Sequence, residues 1–305
     1  MLFLSNNSKG MILLTPDNWR DYELIDTGNG EKLERFGNYI LRRPEPQAVW
    51  QKSLSEKEWE TKTNAYFKRE KGTQSESEKG EWILKPGMPG QWFVKYNSSG
   101  LKLRMRMGLT AFKHIGIFPE QAENWDYVYQ TTKALSIETP RILNLFAYTG
   151  GASLAAKAAG ADVVHVDSVK QVINWAAENQ LASELDGIRW VVEDAMKYIR
   201  REVKRGKTYH GIILDPPAYG RGPEGEKWIL EDSINELIQI CSQLLEKQNS
   251  FFVLNLYSMG FSALITENLM KTHFPGIMNH QMGELYLKEL SGKRLPLGVF
   301  LRFKQ

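Results

Sequence analysis

From residue 140 to residue 256 the chain alternates short apolar runs with longer stretches of helical periodicity. That alternation admits few solutions other than a parallel sheet built from repeated strand–helix–strand units. Residues 141–146 predict a first strand and residues 152–159 its helix, stopped at Gly160. A second strand is expected over 162–167, a helix over 169–182, a third strand over 188–193, and a helix from Ala195 towards Gly206. The fourth strand, 209–214, must end at Asp215, because Pro216 and Pro217 cannot donate to a ladder. A glycine-rich loop over 219–227, a helix over 231–246 and a fifth strand over 251–256 follow, then an antiparallel edge pair at 284–289 and 299–303. The expected fold class is α/β, a doubly wound, mostly parallel, seven-stranded sheet.

The first hundred residues read differently. Short aromatic and β-branched runs at 22–26, 39–42 and 91–96 are broken by glycine and proline, which predicts a small β-rich N-terminal domain over 1–108, ahead of the α/β domain over 109–305. Residues 71–80 form a polar loop expected to be mobile. The opening apolar residues are too few for a signal peptide, and the single cysteine, Cys241, allows no internal disulfide, so the cytoplasm is the expected location. Cys241 lies in a helical apolar pattern and is expected to be a core residue. No membrane contact and no metal are expected.

A formal net charge of +3 permits a nucleic-acid partner without requiring one. Lys102, Arg104 and Arg106 alternate with apolar neighbours, which makes one strand face basic. Arg200, Arg201, Lys204, Arg205 and Lys207 form a second basic group. Each is either a solvated face or a surface that follows phosphates.

The turn after the first strand carries the strongest binding signal. Ligands in open parallel sheets sit beyond the carboxyl ends of the strands, and here Gly150 and Gly151 let backbone approach a ligand. Asp167, at the tip of the second strand, is placed to accept from both hydroxyls of a ribose. Asp194 and Ala195, after the third, are placed to meet an adenine amino group and ring. Asp194 also fits the simpler role of a helix cap. A dinucleotide enzyme would need Gly-x-Gly-x-x-Gly to hold a pyrophosphate, and the run Tyr148, Thr149, Gly150, Gly151 matches it poorly. S-adenosyl-L-methionine has no phosphate and is content with a looser glycine pair, its amino-acid end held near Ala147, Tyr148, Thr149, Gly150 and Gly151.

After the fourth strand, Asp215, Pro216 and Pro217 set a carboxylate and fixed carbonyls beside such a cofactor. Acceptors of this kind suit an amino or ring nitrogen, whose hydrogens they orient while its lone pair faces the methyl group. Tyr219 could stack on a base drawn out of its helix, or simply pack.

On these residues the chain resembles the Rossmann-like class I methyltransferases, in particular the bacterial large-subunit ribosomal RNA enzymes acting on cytosine-5 and guanine-7. The resemblance covers roughly residues 109–260. It rests on 112–121, on the run 143–151 with Asn144 and Phe146, on Val166, Asp167 and Ser168, on Glu193, Asp194 and Ala195, and on Asp215, Pro216 and Pro217. It implies an S-adenosyl-L-methionine-dependent transferase acting on RNA, ribosomal RNA first. It also implies that Phe118, Pro119 and Gln121 join the cofactor site, although Gln121 fits equally as a first-turn helix residue. The cytosine-5 members carry a nucleophilic cysteine after strand five, where residues 255–259 here have none. Nitrogen methylation is therefore the expected chemistry. A small-molecule or protein methyltransferase and a non-catalytic RNA-binding protein are the alternatives, and oligomeric state does not follow.

Overall fold

The computed structural model describes residues 10–17, 19–69, 79–257 and 260–305, so the opening segment 1–9 and most of the polar loop expected at 71–80 lie outside the described residues. In chain order, β1 (Ile12–Leu14) precedes β2 (Tyr22–Gly28), β3 (Glu31–Phe36) and β4 (Tyr39–Pro44). Helix α1 (Glu56–Lys62) is followed by β5 (Ala65–Arg69), β6 (Gly80–Leu84), β7 (Gln91–Ser98) and β8 (Leu101–Gly108). A 3₁₀ turn (Pro119–Gln121) leads into α2 (Ala122–Lys133). The alternating series is β9 (Arg141–Leu145), α3 (Gly151–Ala158), β10 (Asp162–Asp167), α4 (Lys170–Ala182), β11 (Ile188–Val192), α5 (Ala195–Lys204) and β12 (Gly211–Leu214). Next come a short hairpin, β13 (Tyr219–Arg221) with β14 (Lys227–Ile229), then α6 (Leu230–Leu244), β15 (Phe251–Leu256), α7 (Ala263–His273), β16 (His280–Lys288) and β17 (Arg294–Lys304).

The main sheet has the order β1-β16-β17-β15-β12-β9-β10-β11, with β15, β12, β9, β10 and β11 all parallel. The expected α/β class and mostly parallel sheet hold, with one addition. Strand β1 pairs in parallel with β16, so the sheet has eight strands and the antiparallel pair β16–β17 lies inside it instead of at its edge. Three residues are too few to show a period, which is why β1 gives no sequence signal. Gly283 admits it, since a Cβ there would stand 1.7 Å from the Ile12 carbonyl oxygen.

Alternation along the central strands builds two cores. Ile142, Val163, Ile213, Phe251 and Val253 face α2, α3 and the β7–β8 hairpin, meeting Trp125, Val128, Leu103 and Met105. Their neighbours Leu143, Val164, Val166, Ile212 and Leu254 face Tyr198, Ile199, Leu237 and the fully buried Cys241, the last in its expected core role.

The free edge of β8 is closed by side chains of α4 instead of another strand. Asn179 accepts from the Arg106 amide at 2.7 Å, Ser183 accepts from that of Arg104 at 2.9 Å, and the Trp175 indole donates to the Arg106 carbonyl at 3.0 Å. Satisfying that edge keeps it from recruiting another chain.

Strands β2 to β6 form a separate five-stranded sheet around a buried ion pair. Glu34, with no exposed surface, accepts from Arg43 at 2.5 and 3.0 Å and from the Tyr22 hydroxyl at 2.9 Å. Burial alone would push its carboxyl up, but Arg43 and Lys32 hold it below the usual range. Arg43 also donates to the Lys113 carbonyl at 3.2 Å, which ties this sheet to the segment leading into α2. Arg43→Ala leaves Glu34 buried without its main counterion and should cost roughly 3–5 kcal/mol. Urea unfolding measures it, and an unchanged midpoint would contradict this role.

Candidate functional site

The strand β9 ends in a turn that ordinary sequence does not adopt without help. Phe146 and Tyr148 both take left-handed backbone, φ 54° and 50°, and Gly150 follows at 92°. For non-glycine residues such geometry stores strain and survives only when surrounding contacts over-determine it. Those contacts are present. The Ala147 amide donates to the Val166 carbonyl at 3.2 Å, the Tyr148 amide to the Asp167 carboxylate at 2.9 Å, and the Asn179 amide group to the Thr149 carbonyl at 3.0 Å. The Thr149 hydroxyl donates to the Gly116 carbonyl. Gly151 then opens α3 hard against Trp125, whose ring a Cβ would meet at 2.5 Å.

A cleft with a cavity volume of about 50 Å³ lies over this turn. Its walls take Phe118, Gln121, Asn144, Phe146, Ala147, Tyr148, Thr149, Gly150, Gly151 and Asp215 from the sequence-derived set. They also take residues that reading did not name, Ile117, Asn124, Trp125, Ile213, Leu214, Val253 and Asn255. The remaining candidates, Pro119, Asp167, Ser168, Asp194, Ala195, Pro216, Pro217 and Tyr219, stand outside these walls.

Asp167 adjoins the cleft through Tyr148, and its other oxygen accepts from the Val169 amide at 2.9 Å. Burial raises its carboxyl against the pull of these backbone donors. Three backbone donors, Tyr148, Val169 and Ser168, act on a carboxylate with about four acceptor sites, which leaves capacity for a ligand hydroxyl. Asp194 caps α5, accepting from the Lys197 amide at 2.9 Å with one oxygen, the simpler of its two expected roles. Pro119 and Ala195 are buried, and Ser168 is partly so.

At the tip of β12, Asp215 accepts from the Asn255 side-chain amide at 2.9 Å, across to β15. Burial lifts the Asp215 carboxyl to about 6, with the Asn255 bond acting in the opposite direction. Asn255 is 2% exposed and its own Oδ1 has no hydrogen-bond partner. A buried acceptor left unmatched in the wall of a cleft is a place for a ligand N–H. Beyond Asp215, the Trp228 indole donates to the Pro217 carbonyl at 2.7 Å and packs on Phe146 at 4.8 Å, so the β13–β14 hairpin fixes the proline turn. Tyr219 is half exposed on that hairpin. The loop expected at 219–227 is thus partly a ladder, because Trp228 anchors its return strand.

The two basic groups part company. Arg200 pairs with Glu236 at 2.6 Å, Arg201 makes two bonds to Glu193 at 2.6 and 2.5 Å, and Arg205 meets Glu202 at 3.0 Å. These three arginines are engaged by local acids. On β8, Arg106 is likewise held by Glu178 at 2.9 Å, but Lys102 and Arg104 point outward, Arg104 lying 4.6 Å over the exposed Phe93 ring.

A sequence model of the family described as S-adenosylmethionine-dependent methyltransferase matches residues 76–268. The chain belongs to that family. A solved SAM-dependent methyltransferase from Agrobacterium tumefaciens is 37% identical, with a TM-score of 0.87 over 96% of this chain and 93% of that one. The ribosomal RNA large subunit methyltransferase K/L of a Shewanella species is 31% identical over 127 residues, 40% of this chain and 17% of that protein. Ribosomal RNA large subunit methyltransferase I of Aeromonas salmonicida is 32% identical over 107 residues, 34% and 26% respectively. The chain thus spans about a quarter or less of the length of these two curated relatives. The residues present suit the family's cofactor: a cleft at the strand tips, a glycine-lined helix start, and, on the wall residue Asn255, a buried oxygen without a partner. Among the described residues, no group of three or more histidine, cysteine or acidic side chains is placed to hold a metal, and no helix is long and apolar enough to cross a membrane.

Selective ¹³C-aspartate NMR should find the Asp215 carboxyl titrating near 6, and Asn255→Ala should move that midpoint upward, since it removes the one bond that favours the charged form. A midpoint near 4 would show the group to be solvated.

Proposed function

We propose that this methyltransferase modifies a nitrogen of an RNA base, with residues 109–305 carrying the reaction and residues 1–108 meeting the substrate. The observation that carries the nitrogen assignment is the pair of acceptors at the ends of neighbouring strands, the Asp215 carboxylate and the unpartnered Asn255 Oδ1. Two acceptors side by side match the two hydrogens of an amino group. Holding both turns the lone pair away from them, towards the cleft. S-adenosyl-L-methionine supplies a methyl group on a sulfonium, an activated carbon that such a lone pair can attack. With its carboxyl poised near 6, Asp215 can also take the proton that the nitrogen gives up. Cytosine-5 chemistry needs a thiolate, and Cys241 lies on the buried face of α6 with its thiol pushed well up by burial.

In the same reading Asp167 holds the ribose diol, Ser168 and the Asp194–Ala195 step flank the adenine, and the turn from Ala147 to Gly151 with Phe118, Pro119 and Gln121 holds the rest. Pro216 and Pro217 keep the Asp215 turn rigid. Support for RNA comes from the outward face of the β7–β8 hairpin, where Arg104 lies over the exposed Phe93 ring and Lys102 is exposed on the same strand, a combination suited to phosphates and bases. It comes also from the names of the two curated relatives, both ribosomal RNA enzymes, which would set the protein in the cytoplasm.

Asp167→Ala should abolish binding of adenosylhomocysteine in calorimetry, whereas Asp215→Ala should retain binding and lose turnover. Equal loss of binding in both would refute this division. Tritiated-methyl transfer to total RNA, protein and metabolite fractions from cells lacking the gene decides the substrate class. Label in RNA supports the proposal. Label only in protein or metabolites would replace RNA with that class, and none anywhere would leave a binding protein on this fold.

A further inference from the structure

Arg302, on β17, is 7% exposed, yet no carboxylate among the described residues comes within ion-pair distance of it. Its hydrogen-bond partners are all neutral: the Gln281 side-chain oxygen at 2.8 Å, the Glu123 carbonyl at 3.1 Å and Asn124 Oδ1 at 3.4 Å. The Tyr127 ring lies 4.3 Å beneath its guanidinium. A buried cation without a counterion is costly, and proteins retain one where something else balances it.

The direction in which it acts can be followed atom by atom. Because Asn124 accepts from Arg302 with its oxygen, its amide nitrogen faces the other way and donates to Gln121 Oε1 at 2.8 Å. Gln121 Oε1 is then turned towards Asn124, which leaves its Nε2 hydrogens directed elsewhere as donors. Gln121 and Asn124 both line the cleft, as does Val253, the β15 residue opposite Arg302 in the sheet. The same cleft receives the start of α3 at Gly150 and Gly151, and the N-terminal end of a helix also favours negative charge. The ribose-side acid Asp167 stands outside these walls.

We propose that Arg302 is a positioning residue which, through Asn124, sets Gln121 to present its Nε2 hydrogens to the carboxylate at the amino-acid end of the cofactor. The relay polarises each amide in turn, and the bound carboxylate adds negative charge to that which Glu123 already sets near Arg302 beyond ion-pair distance. This rests on reading the cleft as the cofactor site, not on the nature of the methyl acceptor.

The test compares two ligands by calorimetry, adenosylhomocysteine and 5′-methylthioadenosine, which share the nucleoside while only the first has the amino-acid end. Arg302→Met and Asn124→Leu are each expected to weaken adenosylhomocysteine roughly tenfold, the size of one hydrogen bond to a charged group, and to leave methylthioadenosine unchanged. Thermal melting shows that each variant is folded. Should Arg302→Met fail to fold, Asn124→Leu carries the comparison alone. Folded variants that lose both ligands equally, or neither, would overturn the relay. Wild-type protein binding neither ligand would overturn the cleft assignment and the relay with it.

Discussion

The Asp167 carboxylate is the contact on which the site depends. It sits at the end of β10 and reaches back to the amide of Tyr148, in the middle of a turn whose backbone is left-handed at two non-glycine positions. Without a fixed acceptor there, Phe146 and Tyr148 would have little reason to stay in a conformation that sterics disfavour. Asn179 and Gly116 complete the restraint from the opposite side, through the Thr149 carbonyl and hydroxyl. A strained turn over-determined in this way is preorganised, so a ligand bound above it finds its partners already in place.

Through Asn179 the same turn is joined to the N-terminal half of the chain. That one buried side chain accepts from Arg106 on β8 and donates to Thr149, so the β7–β8 hairpin and the cleft floor share an anchor. The five-stranded sheet and the residue after it bring Lys32 and Glu45 together at 3.2 Å, and the Tyr257 hydroxyl, just after β15, donates to Glu45 at 3.2 Å. Beside them, burial lifts the Glu120 carboxyl to about 8, with Lys32 opposing and Asp215 and Glu34 reinforcing the rise. Glu120 is therefore largely protonated at neutral pH, which spares Asp215 a second full negative charge nearby. The N-terminal sheet thus adds to the electrostatics of the mouth.

Much of the site was legible because strand tips punctuate. Gly150, Gly151, Asp167, Asp194 and Asp215 each follow an apolar run, and the parallel order brings such tips to one edge of the sheet. Asn124 and Asn255 gave no comparable signal: a polar residue inside a helix or a buried strand has no period to betray it. Trp228 falls between the loop expected at 219–227 and the helix expected from 231, and carries no signal of its own. Its indole matters only because the hairpin folds it back on Pro217 and Phe146.

The sequence by itself determined the α/β class, the strand–helix rhythm from residue 140 onward, the core place of Cys241, and the acids and glycines at the strand ends. These follow from local periodicity and from what proline and glycine forbid or allow. Only the tertiary structure decided that Ile12–Leu14 extends the main sheet, that Arg200, Arg201 and Arg205 are engaged by acids, that Asn255 lines the cleft with an unmatched oxygen, and that Arg302 is buried among neutral hydrogen-bond partners. Those are long-range pairings, some spanning nearly the whole chain. A pairing of that kind is fixed by which surfaces the folded sheet brings together, and no local pattern encodes it.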